Sequence, residues 1–172
     1  QASRERIPIT PRAAASTSYY NSVPVRGGWV LDVNDLRDGI ELDSARQTVR
    51  VLPATTWFDL DDALQQKGFA VKSYPSSAVS ATVGGWVSMQ GYGMGSLKYG
   101  GVGELLVSLQ VALPNGELVT VTRESDPPLD WFVAAEGTLG VITQVELTVR
   151  PRPAAESHHL FAFDDLNTLG RN

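Results

Sequence analysis

Glycine is crowded into one stretch of this chain. Eight of its 16 glycines lie between Gly84 and Gly103. Glycine loses more conformational freedom on folding than any other residue, so such a run is costly unless something needs it. Two needs are compatible with it. Backbone has to approach a ligand closely, with N–H groups turned towards phosphates or ring carbonyls, or the run is a long set of tight turns. It is not a Walker phosphate loop, because no Gly-Lys-Ser/Thr closes it. Nor is it a dinucleotide fingerprint. Gly91-Tyr92-Gly93-Met94-Gly95 lacks the spacing, and the pattern gives no strand leading directly into it and no helix after it.

A second glycine pair flanks a Thr-Leu step in Glu136-Gly137-Thr138-Leu139-Gly140-Val141-Ile142-Thr143. It reads either as a helix-to-strand connection or as a backbone edge presented to a flat polar ring. Around these two segments the pattern predicts mostly short strands: Ile7 to Thr10, Trp29 to Val33, a hairpin from Ile40 to Asp43 and Thr48 to Leu52, and Leu105 to Leu113. In the last of these, Val107, Leu109, Val111 and Leu113 share one face. Pro114-Asn115-Gly116-Glu117 predicts a hairpin turn with positive φ at both Asn115 and Gly116, returning as Leu118 to Thr122. A final strand runs from Val141 to Val149, with Val141, Val145, Leu147 and Val149 towards the core.

One helix is well marked. Thr56 caps it, Asp59 sits three residues on, Leu60, Ala63 and Leu64 share a face, and Lys67-Gly68 ends it. Trp57 and Phe58 are expected in the core, and Asp61 and Asp62 in solvent. Asp130 is expected to cap a short helix through Ala135. Gln1 to Arg6 reads as the last turns of a helix. Pro151 and Pro153 are expected to end regular structure at a domain boundary, with His158 to Phe163 as the first strand of a following unit. Many strands and few helices define an α+β fold.

The 172 residues amount to about one domain, and 42% are hydrophobic. A net charge of -5 with no basic block argues against nucleic acid as a partner. With no cysteine, disulfides, thiol nucleophiles and cysteine-bound metal clusters are excluded within the chain. No apolar run approaches the roughly 20 residues of a membrane span, and no signal-peptide pattern opens the chain. We therefore expect a cytoplasmic protein. His158 and His159, adjacent in a strand, would point to opposite faces, which makes a poor metal pair. No metal site is expected.

Four motifs occur in order: Pro11-Arg12 followed by three small residues, Ala81-Thr82-Val83-Gly84-Gly85, Tyr99-Gly100, and Glu136 to Thr143. Together they resemble the FAD-binding domain of the vanillyl-alcohol-oxidase/p-cresol-methylhydroxylase (PCMH-type) flavoproteins, a group that includes glycolate-oxidase-like and 2-hydroxyacid dehydrogenases. The resemblance implies two α+β subdomains, about 1–68 and 69–153, with FAD clasped between them. It implies that the domain is truncated at its N-terminus and that 154–172 begins a substrate or cap domain.

By the same resemblance, Pro11, Arg12, Ala13, Ala14, Ala15, Ser16 and Thr17 would hold the pyrophosphate. Ser76, Ser77, Ala81, Thr82, Gly84 and Gly85 would line pyrophosphate and flavin. Gly91 and Gly93 would lie along the cofactor, and Glu136, Gly137, Val141 and Ile142 would face the adenine or another ring edge. Backbone amides suit this task, since several N–H donors hold a buried phosphate and small side chains let them approach.

The chain departs from the family where glycines are usual, at Ala13, Ala14 and Ala15, and carries Tyr20 where a small residue is common. No histidine lies in the first loop or the glycine-rich run to attach a flavin. The acids, bases and clamps for substrate come from the missing domain in this family, so no catalytic residue is named. The implied activity is hydride transfer from a small substrate, such as a 2-hydroxy acid, to flavin, with O₂ or a carrier as acceptor. A structural module of the same fold that has lost FAD is the alternative. A kinase-like nucleotide binder would need a phosphate-loop lysine and a magnesium carboxylate cluster, and the chain has neither.

Overall fold

The computed structural model describes residues 1–157, 159–163 and 165. A short helix α1 (Ala2–Glu5) precedes strands β1 (Ile9–Arg12), β2 (Trp29–Asp32), β3 (Glu41–Asp43) and β4 (Thr48–Val51). Helix α2 (Trp57–Gln65) and strand β5 (Phe69–Ala70) follow. Then come three short helices, α3 (Val83–Ser88), α4 (Ser96–Tyr99) and α5 (Val102–Leu105). Strands β6 (Leu106–Ala112), β7 (Leu118–Val121), β8 (Val141–Thr148) and β9 (Arg150–Pro151) complete the order, with a 3₁₀ turn at Leu129–Trp131.

A five-stranded antiparallel sheet, β3-β4-β8-β6-β7, forms the body. β3 and β4 precede residue 68, yet β4 pairs with β8, which follows it. A separate two-stranded parallel sheet, β1-β2, sets Arg12 opposite Asp32. Helices α2 and α3 cover one face of the large sheet. There Trp57, Leu60, Leu64, Val83 and Val87 meet Val49, Val51, Leu109, Val111 and Val145, all 0% exposed. Each such side chain contributes about 1.5–3 kcal/mol by leaving water. The opposite face is polar. On it the Glu146 carboxylate accepts from Thr48 Oγ1 (3.2 Å), Ser108 Oγ (2.9 Å) and Arg46 Nη1 (3.3 Å).

The α2 start is as expected: Thr56 Oγ1 accepts from the Asp59 amide at 3.1 Å. Several expectations are corrected. Phe58 is 57% exposed, because it lies one helical step off the face shared by Trp57, Leu60 and Leu64. Asp61 is not merely solvated, since Oδ1 accepts the Val71 amide at 3.1 Å and anchors the chain after β5. Pro128, not Asp130, caps the turn at Leu129–Trp131, and no helix runs on to Ala135. Pro151 sits within an edge strand, where its missing donor is not needed, opposite Phe69. His158 lies outside the described residues, and His159 to Phe163 form no strand.

Two registers also differ. Asn115 does not take positive φ; only Gly116 does (φ 90). Pro114 supplies the first turn position with its fixed φ, so the loop becomes a three-residue one closed by Gly116. In β8, Gln110 faces Gln144 while Val111 faces Ile142, leaving Thr143 as an extra residue. This bulge inverts the alternation, so Ile142 rather than Val141 is buried.

Candidate cofactor cleft

The small sheet, α3 and the loop before β8 meet at one cleft. Its wider part, about 420 Å³, is lined by Pro11 to Thr17, Ser77, Ala81, Thr82, Gly85, Gly91 and Glu136. A narrower extension, about 80 Å³, adds Gly84, Gly137, Val141 and Ile142. Three separated turns therefore converge. Ser76 and Gly93 do not line the cleft. Gly93 is instead pressed on the Tyr74 carbonyl, 2.2 Å from where a Cβ would stand.

The first loop leaves β1 as an open arc. Val33 donates to the Arg12 carbonyl at 2.9 Å, and Asn34 Nδ2 reaches the Ala13 carbonyl at 3.4 Å. The amides of Ala14, Ala15, Ser16 and Thr17 have no protein acceptor among the described residues. Nor does the Arg12 guanidinium meet an acid within ion-pair distance among them; the ion pairs of the described residues lie at Arg46, Arg50, Arg123 and Arg150. Unused amides beside an unpaired guanidinium are the kind of donors that can hold an anion.

Backbone strain is gathered here. Among non-glycine residues with positive φ, Ala15 (φ 50), Gln90 (φ 50) and Glu136 (φ 51) line this cleft. Tyr20 (φ 59) lies between Tyr19 and Asn21, which also line it. Left-handed backbone at non-glycine residues clusters where function constrains the chain.

The two glycines that open α3 divide the labour. The Gly84 amide donates to the Pro53 carbonyl at 2.8 Å, and a Cβ there would lie 2.5 Å from Pro53 Cβ. Gly84 is a packing residue. At Gly85 an added Cβ would meet only Thr82 Oγ1, so the cleft wall is bare backbone. At the far end of α3, the Val87 and Ser88 carbonyls accept the amides of Ala134 (3.4 Å) and Glu136 (3.0 Å). The glycine-rich run thus contains helices, contrary to the expectation that none follows it. Much of its glycine serves close chain crossings: Gly91 lies under the Trp86 indole, Gly95 against the Lys72 carbonyl and Gly101 under the Tyr92 ring. Gly137 (φ 78) faces the Pro11 ring rather than open cleft, with Pro11 Cγ 3.0 Å from a would-be Cβ.

Sequence reasoning missed Tyr19, Asn21, Ser22, Trp86, Ser88, Met89, Gln90 and Tyr92, all on the cleft wall. Recognising α3 would have found Ser88 and Met89, which follow Gly85 by three and four residues and share its face. Asn21 Oδ1 is buried without a partner among the described residues, while Nδ2 contacts Met89 Sδ. The cleft fits an anionic dinucleotide: the first loop offers unused amides, small residues at Ala13 to Ala15, Ala81 and Gly85 leave backbone open, and Tyr19, Trp86 and Tyr92 offer ring faces.

The chain belongs to the FAD-binding-domain family: the family described as "FAD binding domain" matches residues 1–122. It is similar to glycolate oxidase subunit GlcD of Bacillus subtilis (strain 168), 28% identical over 98% of this chain and 37% of that protein. It is similar to D-lactate dehydrogenase of Anaerostipes hadrus, 28% identical over 94% of this chain and 35% of that protein. Its fold superimposes on alkyldihydroxyacetonephosphate synthase with a TM-score of 0.80, at 23% identity, over 90% of this chain and 29% of that one. The chain thus spans little more than a third of the curated relatives it matches. The implied α+β fold and FAD as cofactor are borne out. Among the described residues, no helix is long and apolar enough to cross a membrane.

Proposed function

We propose that the chain is the FAD-binding portion of a flavin-dependent oxidase or dehydrogenase that oxidises a small 2-hydroxy acid. The observation that carries the cofactor half of this reading is the unpaired Arg12 guanidinium beside the unused amides of Ala14 to Thr17. Arg12 and those amides would hold the pyrophosphate. Ser77, Ala81, Thr82, Gly85 and Gly91 would lie along the flavin side, and Val141 and Ile142 along the other end. The bound flavin would supply the hydride acceptor. The chain's own part is to bind, to orient and to exclude water, with Trp86, Tyr92 and Tyr19 walling the mouth.

The substrate class comes from the relatives, whose names specify glycolate and D-lactate. None of the cleft residues forms an acid–base pair suited to deprotonating a hydroxyl. On this reading the cleft residues do not carry substrate selection, and this chain alone is expected to leave glycolate and D-lactate unoxidised. The cellular location follows the same reading and is cytoplasmic. The test is uptake of FAD by the purified chain, followed by flavin absorbance and fluorescence. Stoichiometric FAD, with no reduction by glycolate or D-lactate, is expected. A folded protein that stays colourless with excess FAD overturns the reading.

A further inference from the structure

Asn115 and Gly116 lie at the exposed tip of the β6–β7 hairpin. In an Asn-Gly step no Cβ on the second residue shields its amide nitrogen from the asparagine side chain. That nitrogen can attack the side-chain carbonyl carbon and close a five-membered imide. The turn restrains both reactants. The nucleophile, the Gly116 amide, donates to the Leu113 carbonyl at 2.9 Å. The electrophile is pinned by Glu117. Asn115 Oδ1 accepts the Glu117 amide at 3.0 Å, and Nδ2, the leaving group, donates to Glu117 Oε2 at 2.9 Å. Both side-chain bonds are exposed to water, where a hydrogen bond nets little. The clamp therefore slows the reaction without preventing it.

We infer that Asn115 is a site of spontaneous modification, converting to aspartate and isoaspartate, and that Glu117 sets its rate. The Gly116 nitrogen loses its proton and bonds to Asn115 Cγ. The Cγ–Nδ2 bond breaks, and ammonia leaves with that proton. Water then opens the imide at either carbonyl. Opening at the side-chain carbonyl restores the backbone as aspartate. Opening at the main-chain carbonyl gives isoaspartate, with an extra methylene in the backbone. Either product sets an anion beside Glu117 in place of a donor, on a chain already at -5. The added methylene lengthens a turn whose ends are fixed by the pairing of Ala112 with Leu118. The tip borders a groove whose wall at Pro11, Gly137 and Val141 is shared with the cleft.

Peptide mapping tests this. The purified chain is incubated at mildly acidic and mildly alkaline pH and digested with trypsin against an unincubated control. Mass spectrometry follows the peptide Tyr99 to Arg123, in which Asn115 is the one asparagine. Aspartyl and isoaspartyl forms are expected to accumulate there, faster at alkaline pH because base removes the Gly116 proton. They should appear sooner than any change at Asn21 or Asn34, which precede bulkier residues. Glu117→Ala is expected to speed the conversion about two- to fivefold, through loss of one exposed hydrogen bond. Glu117 is exposed, so the core is untouched by this variant. A peptide that stays unmodified in the folded chain overturns the proposal. Equal rates in E117A and the unsubstituted chain overturn the part given to Glu117.

Discussion

Ala15 is the one member of the alanine triplet that sits in left-handed backbone (φ 50). An alanine there costs about 1–2 kcal/mol, because Cβ crowds the following carbonyl oxygen. Glycine removes that cost and gives back about 0.5–1 kcal/mol in unfolded-state entropy. Ala15→Gly is therefore expected to stabilise the chain by about 0.5–1 kcal/mol and to strengthen FAD binding, since the loop is relieved in its working geometry. Ala13→Gly gains neither, because Ala13 is not in that region. Urea unfolding of the two variants, read side by side, checks this. Equal effects would show that the strain at Ala15 is not felt.

The reverse substitution belongs to the loop before β8. Gly137→Val places a β-branched side chain at φ 78 against the Pro11 ring. A loss of about 2 kcal/mol or more is expected, from backbone strain and the clash together. FAD retention should fall because Pro11 is displaced. A variant with unchanged unfolding midpoint and unchanged FAD affinity would separate this loop from the cleft.

At the level of elements, the parity of β8 gives a sharp test. Ile142 is buried and Val141 half-buried only because Thr143 is an extra residue opposite β6. Ile142→Ala should cost about 2–4 kcal/mol and Val141→Ala under about 1 kcal/mol. The reverse order would mean that the strand runs without its bulge. The same elements show what a sequence can and cannot tell. Helix α2 was legible because its cap, its face and its glycine stop agree. The hairpins were legible from alternation and turn residues. The bulge was not, since nothing in Val141 to Val149 marks the residue that is skipped. Helix α3 was hidden because two of its six residues are glycines, which argue locally for a turn. Its crossing over Pro53 explains Gly84, and the cleft wall explains Gly85. The three turns of the cleft were legible through motif order. The aromatic wall was not, because Tyr19, Trp86 and Tyr92 come from segments whose mutual approach depends on tertiary packing.

At the scale of the whole molecule, the cleft is a seam between unequal partners. The five-stranded sheet carries a dense core. The β1-β2 sheet has two strands only, a number that is marginal in water, and its Ile9, Trp29 and Leu31 are each more than 40% exposed. Its ties to the body include the Ala54 amide on the Leu36 carbonyl (2.9 Å) and the contact of Pro11 with Gly137. Local opening should therefore start there, at a free energy well below that of global unfolding. A ligand gripped by the first loop on one side and by α3 and Glu136 on the other would staple this seam. Opening that releases the ligand is opposed by its full binding free energy. At FAD about 100 times its dissociation constant, exchange of the β1 and β2 amides should slow about 100-fold. The amides of β4, β6 and β8 are expected to exchange only through global unfolding. Hydrogen exchange with and without FAD, run under conditions where those central strands stay unexchanged, isolates the local term. Protection confined to Ile9–Arg12 and Trp29–Asp32 is the expected result. If FAD leaves those two strands as fast as before, the cofactor is not held between the sheets, and the convergence of the three turns has another cause.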